Sequence, residues 1–133
     1  MNAAVGSDYS LAIMPGTVSF FKRADFAKMP YPMIFVFIDV NEDYLDYCHF
    51  FVGVFNTFDA YSWGYLPAGR HAGSGVLSYQ DGSAEIHLWR DPGTLQPVTG
   101  VYQWSNVAKR LPGTQDDWRY LAERFTFYFK PPY

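Results

Sequence analysis

Apolar and polar residues alternate with period two along most of this chain, the repeat of a strand that buries one face. Residues 9–14 (YSLAIM) and 17–22 (TVSFFK) predict two short strands around Pro15-Gly16, a turn signal. Residues 23–32 have room for a helical turn, which Pro30 and Pro32 end because proline disfavours helix in the residue before it. The run 33–40 (MIFVFIDV) is apolar at both alternating sets of positions and predicts a strand covered on both faces, with a turn at 41–43. Over 44–56, Tyr44, Tyr47, Cys48 and Phe51 fit helical spacing. The β-branched and aromatic residues through Val54 and Phe55 favour a strand, which is the preferred reading. A weak strand is expected around 61–66, then a loop over 67–72.

The clearest local signal is the hairpin at 73–91. Asp81-Gly82 predicts a two-residue type I′ turn, because both central positions of that turn need positive φ. Register then follows: Ser78 lies opposite Glu85, Leu77 opposite Ile86, Gly75 opposite Leu88 and Ser74 opposite Trp89. Leu77, Tyr79, Ala84, Ile86 and Leu88 share one face, and Ser74, Val76, Ser78, Glu85, His87 and Trp89 the other. After a turn at 91–93, residues 98–104 predict another strand. Thr114 is a candidate N-cap for a helix in which Trp118, Leu121, Ala122 and Phe125 fall on one buried stripe. Residues 125–130 alternate again before Pro131 and Pro132 stop the ladder.

Together these elements predict one mainly β domain over 1–133, an antiparallel β-sandwich or partly closed barrel of about eight strands with one short C-terminal helix. An α+β fold with a curved antiparallel sheet is the alternative. Composition agrees, since 49% hydrophobic against 17% charged residues describes a globular chain. A net charge of −3 and scattered Lys and Arg argue against binding to nucleic-acid phosphates. Cys48, the one cysteine, precludes an intrachain disulfide and a cysteine-based zinc site. No signal-peptide pattern is seen, and the longest apolar run, 33–38, is too short for a transmembrane segment. The expected location is the cytoplasm, or outside by a non-classical route.

Candidate chemistry narrows next. The predicted register puts Ser78, Glu85 and His87 on a common face, but the serine faces the acid and not the base, which is the wrong order for a serine nucleophile. His87 with Glu85, or with Asp39 as the carboxylate, remains the acid–base candidate. His49, His71 and His87 lack the short spacing of metal ligands, and "GRHAGSG" lacks the helix and lysine of a phosphate loop, so no metal or cofactor is expected. Cys48 and His49 are adjacent and point to opposite faces of a strand.

Aromatic residues make up 20% of the chain, more than a small core hides with partners for every polar atom. Trp63, Tyr65, Trp89, Tyr102 and Trp104 are the candidate ligand-binding rings, with 61–69 and 101–106 as the candidate loops. "GVLSY", "DG" and "VYQWSNV" resemble the hairpin and aromatic loop of actinoporin and fungal-lectin β-sandwiches, without the amphipathic amino-terminal helix that pore formers insert. That resemblance implies a head-group or glycan site around Tyr102 and Trp104. The leading expectation is therefore a noncatalytic module that holds a partner protein, a glycan or a small apolar ligand. Self-association through an aromatic sheet face, or a place as a subunit of a larger assembly, fits the same reading. The alternative is a small β-rich enzyme using His87 with Glu85 or Asp39.

Overall fold

The structure is a computed structural model and describes residues 22–27, 33–45, 50, 62–102, 109–110 and 113–125. The strands expected at 9–14, nearly all of those at 17–22 and 125–130, and most of 44–56 lie outside the described residues. The described elements run α1 (Arg23–Phe26), β1 (Phe35–Ile38), a 3-10 turn (Glu42–Tyr44), β2 (Ser62–Trp63), β3 (Ser74–Tyr79), β4 (Ala84–Leu88), β5 (Lys109–Arg110) and α2 (Gln115–Ala122). They form a three-stranded antiparallel sheet in the order β1-β3-β4 and a two-stranded ladder of β2 with β5. Architecture among the described residues is thus antiparallel sheet plus short helices.

β1 departs from a strand covered on both faces. Its pairing with β3 runs Phe35 to Tyr79, then Phe37 to Ser78 and Ile38 to Leu77, with a bulge between Phe35 and Phe37. A bulge adds one residue to one strand and shifts its alternation. Phe35 and Ile38, three apart, therefore both face the core, while Phe37 stands 58% exposed.

The β3–β4 hairpin forms one residue out of the expected register. Ser78 pairs with Ala84, Leu77 with Glu85, Val76 with Ile86, Gly75 with His87 and Ser74 with Leu88. Tyr79 N donates to Ser83 O at 2.9 Å and Gly82 N to Tyr79 O at 3.1 Å, so the loop has three residues, 80–82. Only Gly82 takes positive φ, at 89°. A three-residue hairpin loop combines a type I turn with one left-handed residue, and Asp81 suits that turn because its carboxylate accepts the Ser83 amide at 2.9 Å. One residue of slip exchanges the faces of β4. Glu85, His87 and Trp89 join Leu77 and Tyr79 on the inner side, and Ile86 and Leu88 turn outward.

α2 forms where the periodicity placed it, with Trp118, Leu121 and Phe125 buried and Ala122 packed beside them. Thr114 occupies the N-cap position, but its hydroxyl makes no capping bond. Asp117, inside the first turn, accepts the amides of Arg90 (3.0 Å) and Asp91 (3.0 Å) instead, and its own amide donates to the Asp91 carboxylate at 2.9 Å. This reciprocal tie fixes the helix start against the chain leaving β4. At the other end, Phe35 N donates to Arg124 O at 3.2 Å. Between these ties Phe35, Phe50, Tyr65, Leu77, Trp89, Leu121 and Phe125 form one core, with Phe35 edge-on to Phe50 at 5.9 Å.

Residues 98–102 do not form the expected strand. Asp43, buried in the 3-10 turn after β1, accepts the Thr99 amide (2.8 Å), the Thr99 hydroxyl (2.7 Å) and the Gly100 amide (2.9 Å). The two amides are main-chain donors of the kind a strand ladder uses, and Gly100 turns the chain with φ 75°. The segment 91–102 is consequently an anchored loop.

Candidate functional site

The slipped register assembles a polar cluster under α2. Tyr79 from β3 donates its hydroxyl to Glu85 Oε1 at 2.7 Å, and the Tyr120 hydroxyl of α2 donates to the same oxygen. The two phenolic oxygens lie 2.9 Å apart. His87 stacks on the Tyr120 ring at 3.8 Å and 20°, the Arg124 guanidinium sits 3.8 Å over that ring, and Trp89 lies 4.8 Å from His87. Burial raises Glu85, but the hydroxyls of Tyr120 and Tyr79, with His87 and Arg124 nearby, outweigh it and hold the carboxyl below its usual range. Burial pushes both tyrosines up. It also pushes His87 down, more than Glu85 and Asp117 raise it, and Arg124 and Arg90 act in the same direction as burial. At neutral pH the cluster holds a carboxylate and a neutral imidazole.

Chemically this arrangement is a tie between sheet and helix. His87 Nδ1 is 3.6 Å from Glu85 Oε1, beyond hydrogen-bond length, so the acid does not orient the base. Ser78 pairs with Ala84 and lies on the opposite face of the sheet from His87. Asp39 belongs to a separate surface group. Its carboxylate accepts the Val76 amide at 3.3 Å and lies 3.5 Å from His71 Nε2 and 4.0 Å from Arg70, which also bonds Glu42. Among the described residues no three His, Cys, Asp or Glu side chains converge to hold a metal ion, and no helix is long and apolar enough to cross a membrane.

The candidate binding rings divide. Trp63, Tyr65 and Trp89 are 1%, 1% and 3% exposed, so they leave no ring face for stacking on a ligand. The Trp89 indole instead donates to Ala68 O at 2.8 Å and lies over Gly75. Tyr102 is 45% exposed, and Trp104 lies outside the described residues. The candidate segment 61–69 is therefore buried over 63–68, with Gly69 exposed.

What residue patterning missed is the anchored loop beside Tyr102. Leu95, Val98 and Val101 are 40%, 51% and 61% exposed there. Asn41 Nδ2 donates to Gln96 O at 3.0 Å and Gln96 Nε2 to Gly93 O at 2.9 Å, adding to the Asp43 bonds. A groove of about 250 Å³ adjoins it, lined by Glu42, Arg70, Leu95, Pro97 and Val98 among others. The "DPG" and "TG" sequences mark it as irregular; its clamp at Asp43 lies 56 residues before Thr99 and gives no local signal. Comparison with protein-family models, curated proteins and solved structures finds no match to this chain, so neither the actinoporin nor the lectin resemblance gains support.

Proposed function

We propose that this chain is a noncatalytic interaction module whose 95–102 loop and adjoining groove hold a segment of a partner protein. The observation that carries the reading is a row of exposed apolar side chains, Leu95, Val98, Val101 and Tyr102, on a backbone fixed by the buried Asp43. Clustered apolar side chains left in water mark interaction surfaces, and a preordered loop loses little further entropy when it binds. Aliphatic side chains beside an Arg70–Glu42 pair match a peptide surface better than a sugar, because Tyr102 is the one exposed ring among the described candidates. The scaffold proposed for the module is the antiparallel sandwich or barrel that the strand alternation predicts.

A photoreactive residue placed at Val98 or Val101, in the cells that make the protein, tests this. A discrete protein adduct is expected at both positions, weakened by Asp43→Ala and not seen from the exposed Asp81 position. Labelling at 98 and 101 no stronger than at 81 would sink the reading. Glycan binding that is lost on Tyr102→Ala would replace the protein partner with a sugar.

A further inference from the structure

We propose that β4 is a self-association strand, pairing antiparallel with β4 of a second copy about a two-fold axis at Ile86. The bonds Tyr79 N to Ser83 O (2.9 Å) and Trp89 N to Gly73 O (3.1 Å) bracket the β3–β4 ladder. Bonded and non-bonded pairs alternate in an antiparallel ladder. Ser83, Glu85, His87 and Trp89 therefore direct their main-chain groups to β3, and Ala84, Ile86 and Leu88 direct theirs to the open edge. Among the described residues the order β1-β3-β4 makes that edge outermost, and no main-chain bond from them reaches these three. β1 at the other edge differs, since Phe35 N is bonded to Arg124 O. Edge strands are usually blunted by proline, lysine, a bulge or an inward-pointing charge. Ala84-Glu85-Ile86-His87-Leu88 has no proline, lysine or bulge, its inward Glu85 is held by the Tyr79 and Tyr120 hydroxyls, and Ile86 and Leu88 are 70% and 61% exposed.

The strand is complementary to itself in one register. Edge-directed residues must meet edge-directed residues, so the axis falls on Ala84, Ile86 or Leu88. An axis at Ile86 pairs Ile86 with its own copy and Ala84 with Leu88, forming about six main-chain hydrogen bonds. It also sets Glu85 opposite His87 of the second copy in the closer non-bonded pairs, a carboxylate facing an imidazole. An axis at Ala84 runs the strand into the 80–82 loop. An axis at Leu88 sets Ala84 against Pro92, which has no N–H to donate. Only the Ile86 register uses the whole strand, and it joins two three-stranded sheets into one with Ile86 and Leu88 aligned on the outer face.

Sedimentation equilibrium of the full chain reads the outcome directly: a mass twice 15.3 kDa is expected. Ile86→Lys, which places like charges at the axis, gives a monomer with unchanged circular dichroism, while Phe37→Lys, on the same face but off the edge, leaves the dimer intact. Should Ile86→Lys unfold, cysteines decide. In a Cys48→Ser background, Ile86→Cys oxidises to a covalent dimer, because bonded pairs have Cα atoms about 5.5 Å apart, within disulfide reach. Ala84→Cys alone does not cross-link, and mixed with Leu88→Cys it does. A monomer at every concentration, disruption by Phe37→Lys equal to that by Ile86→Lys, or cross-linking of Ala84→Cys as ready as that of Ile86→Cys overturns the proposal.

Discussion

Gly75 and Trp89 show how tightly single positions are specified. A Cβ built on Gly75 would stand 2.8 Å from the Trp89 ring and 3.0 Å from Ala68 O, the atom to which that indole donates. Neither neighbour has room to yield, so Gly75→Ala is expected to destabilise the fold by about 1–3 kcal/mol in urea denaturation. A neutral effect would mean the indole does not rest there. His87 makes the second residue-scale prediction. Its folded-state affinity for a proton is depressed, so the unfolded chain takes up the proton first as pH falls through 6.5. Stability is then complete above the unfolded value and declines from about pH 7 toward pH 5 as the unfolded state gains protons. His87→Gln removes that titration, and denaturation midpoints across this window should flatten; an unchanged slope would assign the loss to another group.

At the scale of elements, buried carboxylates act as clamps between segments that do not pair as strands. Asp117 holds the amides of Arg90 and Asp91, and Asp117→Ala strands both, a loss of about 1–3 kcal/mol by thermal or urea unfolding. Asp43 clamps the 95–102 loop. Asp43→Asn keeps the size but loses an acceptor, so exchange of the Thr99 and Gly100 amides should quicken severalfold while the Leu77 amide stays protected. Equal protection in variant and wild type would show that the loop is held by other means. The hairpin offers a direct check of register. In monomeric Ile86→Lys protein the non-bonded pairs, whose Cα atoms approach most closely, should give Hα–Hα nuclear Overhauser contacts between Ser78 and Ala84 and between Val76 and residue 86. Contacts of Tyr79 with Ala84 and Leu77 with residue 86 would restore the two-residue turn.

For the whole molecule, acid stability follows from the same groups. Asp43 is held below its usual 3.8, chiefly by the Thr99 hydroxyl and amide, and Glu85 below 4.5 despite its burial. A carboxyl with a depressed folded value contributes stability above its unfolded pKa and loses it as pH falls through the folded one. The acid transition is therefore expected below about pH 4, and Glu85→Gln, which retains an acceptor but not the charge, should make it shallower. A midpoint insensitive to that change would place the Tyr79–Glu85–Tyr120 tie outside the stabilising network.

By itself the sequence determined the period-two and helical stretches, and hence the antiparallel pairing, the α2 stripe of Trp118, Leu121 and Phe125, and the turns at Asp81-Gly82 and Asp91-Pro92-Gly93. Those are local preferences, set by side-chain spacing and by residues that tolerate particular backbone angles. Only the tertiary structure decided which face of each strand is inner. A three-residue loop and a bulge in β1 each displace the alternation by one, and neither leaves a signature stronger than the turn or strand it resembles. The same holds for the aromatics: burial of Trp63, Tyr65 and Trp89, and exposure of Leu95, Val98 and Val101, depend on partners distant in sequence. Composition shows that rings are plentiful; packing chooses which of them meet water.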